Sequence, residues 1–407
     1  MTSTRESRRA ESRLRVRRER RLAVSVGVVL LAIAVALLSS GAFSSNARRD
    51  VAGRHARVVV PGGPLAPASV GGLAALWAPE NVVGVQPGTA AAYEAASRVP
   101  GPAGFILIAD RGNNRILVVD PQGRTVFLYP SPADIRAGRR LIYNDDTFVE
   151  PGGGALIANE EDNHAIVQVG LADHSLTVLF GHPGELGTDA THLNTPDDAY
   201  QLPDGSFTVA DAYNCRIIFV RAGKIIRQYG KSGVCRHDPP RYLGDVNGDT
   251  PVPGGGVMVS EITGNWIDEI GPDGRLVFAV RAPVSYPSDP QPLPGGRILL
   301  ADYASPGHIL IIDHAGRVLW RYGPAQGYGR LDHPSLAMAL PNGNIAINDD
   351  YRQRVLVIDP RTNRIVWKYG HTDVTGTAAG YLNTPDGMDF IPAAANGAPD
   401  YAAVVHP

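Results

Sequence analysis

Oxygen-bearing side chains stand at equivalent positions of a sequence pattern that repeats along most of the chain. The acidic ones are Asp145 with Asp146, Asp197 with Asp198, Asp289 and Asp386, and Asn247 and Ser335 take the same position in two further repeats. Carboxylates that converge repel one another unless a cation or raised pKa values relieve the repulsion. Hard oxygen ligands suit calcium or magnesium. Two interpretations follow: a calcium ion or another divalent metal held by Asp145, Asp197, Asn247 and Asp386, or Asp residues that each cap a strand turn and face water.

Histidines supply a second set of candidate ligands. Five of the 11 histidines fall in segments that connect successive repeats, namely His182, His192, His237, His333 and His371. Neutral imidazole binds zinc and other transition metals, so a metal centre that includes these side chains need not hold calcium. No histidine matches a catalytic motif, and we assign no catalytic residue from the sequence.

The repeats consist of short β-branched runs that polar turns separate. In residues 106–119, two such runs flank a turn rich in Gly, Asn and Asp, which is the composition of paired antiparallel strands. The acidic residue that ends the first run returns about every 40 to 50 residues, at Asp110, Glu160, Asp211, Glu261, Asp302 and Asp349. Four strands per unit at this period are typical of a β-propeller blade. The chain therefore predicts an all-β propeller with six blades, or with seven if the flanking segments add strands.

The two ends of the repeat region complement each other. The first unit, from Phe105, lacks an opening strand, and residues 381–392 form an opening strand with little after it. We predict that this last strand completes the first blade, which closes the ring and leaves no open sheet edge. In such a blade, the loops between blades and the turns between second and third strands share one face. The oxygen-bearing residues and the histidines are expected there, where a rigid scaffold holds the functional loops.

The motifs resemble those of a known family. Residues 108–116 (Ile-Ala-Asp-Arg-Gly-Asn-Asn-Arg-Ile) and 209–217 (Val-Ala-Asp-Ala-Tyr-Asn-Cys-Arg-Ile) resemble the NHL-repeat propellers, and the likeness covers roughly residues 100–395. The units that contain Trp320 and Trp367 also resemble arylsulfotransferase and quinoprotein-type propellers, and both tryptophans are expected to pack between blades. The first resemblance implies a propeller and admits metal-bearing lyases with ions along the axis. The second admits group transfer by a channel histidine.

The repeated Asp-x-x-Asn-x-Arg turn is interpreted as structural. A catalytic group is needed once, whereas Asp110 with Arg115 and Asp211 with Arg216 recur in different repeats. Side-chain oxygens of Asp and Asn hydrogen-bond turn amides, and Arg pairs with the carboxylate. The copy at residues 261–266 departs from the pattern, because Trp stands where Arg would.

The chain opens with a basic segment and an apolar run. Residues 1–21 carry nine Arg and three Glu, and residues 22–43 are uncharged and rich in Ala, Val and Leu. A bilayer-spanning helix needs ~20 such residues, and Lys and Arg stay on the cytoplasmic side. We predict a cytoplasmic tail (1–21), a transmembrane anchor (22–43), an Ala/Gly/Pro-rich tether (44–100), an extracytoplasmic propeller (101–395) and a C-terminal tail (396–407). A cleaved signal peptide is the alternative to the anchor.

Charge and cysteine content limit the partners. The formal net charge is -2 despite the basic start, so the remainder of the chain is acidic and nucleic acid is not expected as a partner. An oxidising compartment favours a disulfide between Cys215 and Cys235, with two free buried thiols as the alternative.

Two functions agree with these features. In the first, an extracytoplasmic propeller anchored in the membrane binds a protein, a peptide or a glycan on its loop-rich face. In the second, the axial channel carries a metal-dependent lyase or hydrolase, or an arylsulfotransferase-like group transfer. The axial Asp residues would then be metal ligands, and a facing His or Arg would act as base or electrostatic stabiliser.

Overall fold

Six antiparallel four-stranded sheets make up the part of the chain that the computed structural model describes, residues 101–406. Blades 1 to 3 contain β1 (Phe105–Asp110), β2 (Arg115–Val119), β3 (Thr125–Tyr129); β4 (Asn144–Val149), β5 (Ala155–Glu160), β6 (Ala165–Gly170), β7 (Leu176–Gly181); and β8 (Pro196–Asp198), β9 (Phe207–Asp211), β10 (Arg216–Arg221), β11 (Lys224–Gly230). Blades 4 to 6 contain β12 (Val246–Val252), β13 (Gly256–Glu261), β14 (Trp266–Ile270), β15 (Leu276–Arg281); β16 (Pro287–Leu293), β17 (Arg297–Asp302), β18 (His308–Asp313), β19 (Val318–Tyr322); and β20 (Ala337–Ala339), β21 (Ile345–Asp349), β22 (Arg354–Asp359), β23 (Arg364–Gly370).

The last strand of the chain closes the ring. β24 (Pro385–Ile391) pairs antiparallel with β1, with Phe105 opposite Ile391 and Leu107 opposite Asp389. Blade 1 therefore has the strand order β24-β1-β2-β3. The predicted all-β propeller of six blades is confirmed, and so is the closure of its first blade by the C-terminal strand.

The first strand of each blade lies nearest the axis. β4 contacts β24 and β8, β12 contacts β8 and β16, and β20 contacts β16. Residues at the start of these strands line one shared cavity. The axis of the propeller is therefore surrounded by the strands whose opening positions carry the repeated oxygen-bearing residues.

Burial on both faces explains why the second strands of the blades, such as β1, read as continuous apolar runs. Ile106, Leu107 and Ile108 are fully buried, although neighbouring side chains of a strand point to opposite faces. Ile106 and Ile108 pack in a cluster with Phe148, and Leu107 packs in another with Leu156. Each such side chain contributes about 1.5–3 kcal/mol by leaving water, so stacking of the blades holds the ring together.

Two tryptophans join neighbouring blades through hydrogen bonds as well as packing. The Trp320 Nε1 group in blade 5 donates to the Pro360 carbonyl at 3.1 Å and to Asn363 Oδ1 at 3.0 Å in blade 6. The Trp367 Nε1 group in blade 6 donates to the Pro121 carbonyl in blade 1 at 2.8 Å. The expectation that both tryptophans pack between blades is confirmed.

The predicted cytoplasmic tail, transmembrane anchor and tether (1–21, 22–43 and 44–100) lie outside the described residues. Between residues 101 and 406, no helix is long and apolar enough to cross a membrane. The α-helix of this region, α1 (Pro132–Arg136), is short and begins with a capping box, in which the Asp134 amide donates to Ser131 Oγ and the Ser131 amide donates to Asp134.

Candidate functional site

An acidic cavity of about 180 Å³ opens at the axis of the propeller. Its lining consists of carboxylates, one guanidinium, two phenols and three small polar side chains. These residues are Arg111, Asp145, Asp146, Glu161, Asp197, Asn247, Tyr286, Ser288, Asp289, Tyr303, Ser335 and Asp386. Because six of the twelve are carboxylates and only one is a cation, the cavity attracts positive charge.

Irregular strand pairing aims these side chains at the axis. In five of the six blades, the register between the innermost strand and its neighbour shifts at the oxygen-bearing residue, for example between Asn144 and Thr147, between Pro196 and Asp198, and between Val246 and Asp249. A β-bulge frees residues from the ladder and redirects their side chains. The bulges of five blades thus point successive carboxylates and one amide into the same cavity.

Glycines beside two of the carboxylates keep the cavity crowded. A Cβ at Gly248 would lie 2.7 Å from Asp289 Oδ1, and a Cβ at Gly387 would overlap Asp146 Oδ1. Only a residue without a side chain leaves room for these oxygens. The Asn-Gly and Asp-Gly pairs at the start of β12 and β24 therefore help the carboxylates approach one another.

The four predicted metal ligands all line this cavity, but they fall into two groups. Asp145 and Asp386 contact Arg111, whose Nη1 lies 2.8 Å from Asp145 Oδ1 and 2.9 Å from Asp386 Oδ2. On the other side, the Asn247 amide donates a hydrogen bond to Asp197 Oδ2. The guanidinium therefore already neutralises one half of the predicted ligand set.

Asp145, Glu161 and Asp197 are lining residues close enough together to hold a metal ion. Each offers a carboxylate oxygen, and these oxygens lie within 4.8 Å of one another. Asn247 Oδ1 and Asp146 Oδ1 are buried and have no hydrogen-bond partner among the described residues. Oxygen ligands at this spacing, with unpartnered oxygens beside them, match the donor set of a calcium-class cation.

Burial raises the pKa values of the axial carboxyls. It is the main reason that the pKa of Asp146 stands well above its usual range, and the charges of Asp289 and Asp198 add to the effect. Burial likewise raises the pKa of Asp197, with a further contribution from Glu161. Burial raises the pKa of Asp198 to about 7. Protons and cations therefore compete for the same oxygens.

Arg111 and Glu161 are site residues that the sequence interpretation misses. Each follows the acidic residue that ends the second strand of its blade, and the ion pair between Arg111 and Glu161 spans two blades. Tyr303 holds the same position in blade 5 and also lines the cavity. Because the whole turn is interpreted as structural from the sequence, this inward-facing position is not predicted as part of the site. Its variability could have revealed it, since the position holds Arg, Glu, Ala, Ile, Tyr and Asp in the six repeats.

The five predicted histidines lie in loops between blades, but the described residues that line the axial cavity include no histidine. The rings of His182 and His192 stack on each other at 4.2 Å, and His371 stacks on Tyr381 at 3.9 Å. His333 pairs with Asp332. His237 contacts two buried carboxylates of blade 4. Among residues 101–406, none of the side chains that line this mouth is therefore the channel histidine that the arylsulfotransferase resemblance implies.

A C-terminal segment covers the opposite end of the axis. Residues 402–406 lie beside the ends of the innermost strands. On one side they face blades 5, 6 and 1, and on the other side they face blades 2, 3 and 4. His406 Nε2 lies 3.0 Å from Asp389 Oδ2, and its ring meets Phe148 and Tyr200 edge-on. The axial cavity thus opens on the face that carries the blade-linking loops.

Buried ion pairs explain the repeated turn. Arg115 Nε donates to Asp110 Oδ2 at 2.6 Å, and Arg216 Nε donates to Asp211 Oδ2 at 2.7 Å. The Asp211 carboxylate also accepts from the Asn214 side chain and the Asn194 amide. All of these contacts lie within the scaffold, which agrees with the structural interpretation of the motif.

The two cysteines form the predicted disulfide. Cys215 and Cys235 are linked, with their Cα atoms 5.2 Å apart, a distance normal for such a bond. Cys215 occupies the left-handed position that ends the turn after β9, and Cys235 lies in the loop that leads to blade 4. The bond therefore fixes that loop against its own blade.

Comparisons with known proteins extend to the fold alone. No protein-family model matches this chain, and no curated protein matches it. Similar solved structures include a protein of unknown function from Bacteroides caccae (16% identity, 71% of this chain, 98% of that chain, TM-score 0.49). A nidogen/laminin complex is also similar (12% identity, 70% of this chain, 97% of that chain, TM-score 0.48). So is a streptogramin B lyase (17% identity, 74% of this chain, 90% of that chain, TM-score 0.47). The NHL-repeat resemblance stays unconfirmed, and the six-bladed propeller itself is established by the sheet topology of this chain.

Proposed function

We propose that this propeller is an extracytoplasmic binding module whose axial mouth binds a divalent cation of the calcium class. The observation that carries the proposal is the convergence of Asp145, Glu161 and Asp197, whose carboxylate oxygens lie within 4.8 Å of one another. These three residues would hold the ion, with Asn247 beside them. When bound, the cation would offer open coordination positions to oxygen atoms of a protein, peptide or glycan ligand.

The charge balance supports a cation at this point. Arg111 contacts Asp145, Glu161 and Asp386, whereas the Asp197 carboxylate accepts the Asn247 amide and remains buried among like charges. Buried carboxylates without a counter-ion are costly, and they either bind protons or bind a cation. A divalent ion held by Asp197 together with the Asp145 and Glu161 carboxylates, which also contact Arg111, would balance the negative charge that the single guanidinium leaves.

The location outside the membrane is part of the proposal. Disulfides persist in oxidising compartments, and the Cys215–Cys235 bond supports such a location. Residues 22–43 would anchor the chain with its N-terminus in the cytoplasm, and residues 44–100 would be the tether between the anchor and the propeller.

A metal-dependent lyase or hydrolase is the second candidate, and the raised pKa values favour it. Carboxyls with strongly raised pKa values in a cleft are characteristic of catalytic sites as well as of ion sites. In that case Asp146 or Asp197 would donate or accept a proton, and Arg111 would stabilise negative charge on the substrate. Turnover of an ester, lactone or glycoside that stops in both Asp197→Asn and Arg111→Gln would favour the enzyme over the binding module.

Calcium titration of the full chain tests the proposal. We expect about one Ca²⁺ per chain by isothermal titration calorimetry, and Asp197→Asn should weaken the affinity by at least about tenfold, because it removes one charged ligand. Asp204→Asn is the matched control, since Asp204 pairs with Arg221 on the exposed surface. A wild-type protein that takes up no calcium, or an Asp197→Asn variant with unchanged affinity, would overturn the proposal.

A further inference from the structure

We infer that His237, Glu261 and Asp268 form a second metal site, in blade 4 and apart from the axial cavity, that takes a divalent transition ion such as zinc. The three side chains each offer one ligand atom, and these atoms lie within 4.8 Å of one another. One imidazole nitrogen with two carboxylates suits zinc and its first-row neighbours rather than calcium.

The site arises where the repeat loses its arginine. In blades 1, 3 and 6 the acid that ends the second strand pairs with an arginine five residues later, as in Asp211 with Arg216. In blade 4 that place belongs to Trp266, and no arginine of the described residues pairs with Glu261. Asp268 adds a second carboxylate to the same blade, which doubles the charge that must be balanced.

Unpartnered oxygens point into the site. Asp268 is fully buried, and neither of its carboxylate oxygens has a hydrogen-bond partner among the described residues. Glu261 Oε1 is buried and unpartnered as well. The acids of the other blades each accept a backbone amide, whereas the described hydrogen bonds of Glu261 include none. Buried oxygens of this kind need a proton or a cation.

His237 is held in place above the two carboxylates. Its Nδ1 lies 3.1 Å from Glu261 Oε2 and 3.7 Å from Asp268 Oδ2. Its ring stacks on Trp266 with the centroids 3.9 Å apart and the planes 2° from parallel. The loop is fixed two residues earlier by the disulfide at Cys235. The tryptophan that displaces the arginine therefore also orients the imidazole.

Space and access agree with an ion at this point. A Cβ at Gly244 would lie 2.8 Å from Glu261 Oε2, so the glycine leaves that oxygen free to bind. The His237 side chain is 21% exposed, while both carboxylates are buried. An ion would enter beside the imidazole and lose water molecules as it binds the two buried carboxylates.

Zinc binding by the full chain tests the inference. All variants are made in the Asp197→Asn background, which removes the Asp197 carboxylate from the axial cavity. We expect one Zn²⁺ per chain by calorimetry, together with a zinc-dependent rise in melting temperature. His237→Gln should weaken zinc binding by more than about 100-fold, since loss of a supporting residue alone costs 10–100-fold. Asp268→Asn, which keeps the side-chain volume, should abolish the zinc-dependent rise.

His314→Gln is the matched control. His314 is an exposed histidine that stacks on Phe278 at 4.0 Å, and it lies outside the cluster, so its loss should leave zinc affinity unchanged within about threefold. Zinc affinity that His237→Gln and Asp268→Asn both leave at the wild-type value would overturn the inference. A melting temperature that rises with Ca²⁺ but not with Zn²⁺ would overturn it too. The outcome of the zinc experiment does not depend on the outcome of the calcium titration, so the two proposals can fail separately.

Discussion

The turns that end the second strands of blades 3 and 4 occupy equivalent places in adjacent blades and differ in their charge balance. In blade 3, Asp211 is matched by Arg216, whose guanidinium also donates to the carbonyls of Asp189 and His192. In blade 4, Glu261 faces another carboxylate and an imidazole. A repeat can therefore use the same acidic position for structure in one blade and free it for ligand binding in the next.

The largest expected effect is a loss of stability when the arginine of the blade 3 turn is removed. Arg216→Met would leave the buried Asp211 carboxylate without its counter-ion, because both side chains are almost fully inaccessible. Breaking one partner of a buried pair costs about 3–5 kcal/mol of unfolding free energy. Urea unfolding should show this loss, and Arg221→Met, at an exposed ion pair, should cost less than about 1 kcal/mol. Equal losses of stability in the two variants would show that the buried Asp211–Arg216 pair does not stabilise the fold.

Removal of the disulfide should have the next largest effect. The bond spans 20 residues, and closing a loop of that size stabilises a protein by about 3 kcal/mol. The double variant Cys215→Ser with Cys235→Ser should unfold at lower denaturant and should also bind zinc more weakly, because the loop that carries His237 is released. A reducing agent should lower the stability of the wild type and leave the double variant unchanged; wild-type stability that resists complete reduction would contradict this.

The smallest expected effect is a pH-dependent gain from Asp268→Asn in metal-free protein. Burial and then Glu261 raise the pKa of Asp268 well above its ordinary value of 3.8, so the folded protein holds a proton that the unfolded chain releases. The contribution to stability is therefore complete below about pH 4 and is lost as the pH rises toward the folded-state pKa.

The Asp268→Asn variant has no carboxyl at this position and therefore does not lose this stability as the pH rises. At pH 8 and in the presence of chelator, Asp268→Asn should be more stable than the wild type by about 1 kcal/mol, and the difference should vanish or reverse near pH 4. Guanidinium unfolding at the two pH values measures it. A difference that stays constant between pH 4 and pH 8 would show that Asp268 does not carry a raised pKa.

The fold was predictable because its repeat leaves few alternatives. The missing opening strand at Phe105 and the surplus strand near Tyr381 could be matched from the sequence, since a closed ring has no unpaired edge. The matching positions of Trp320 and Trp367 likewise predicted contacts between blades, because residues at one repeat position meet the same neighbour in each blade.

The candidate site was predictable only in part. Repeat alignment placed Asp145, Asp197, Asn247 and Asp386 around one axis, but it could not show that Arg111 neutralises half of them, because that contact joins residues 275 positions apart. The blade 4 cluster was visible only as a departure from the pattern at Trp266. Asp268 sits in the middle of a strand, where an acid is unusual, and its role depends on a loop that only the three-dimensional structure brings above it.

The segment around His406 has a consequence for traffic along the axis. Residues 402–406 lie across one end of the axis, and the axial cavity lies at the other end, among the carboxylates. Any ion or ligand group that enters at the carboxylate rim has to leave by the same opening. Entry to the axial cavity and exit from it should therefore depend on the residues at its rim.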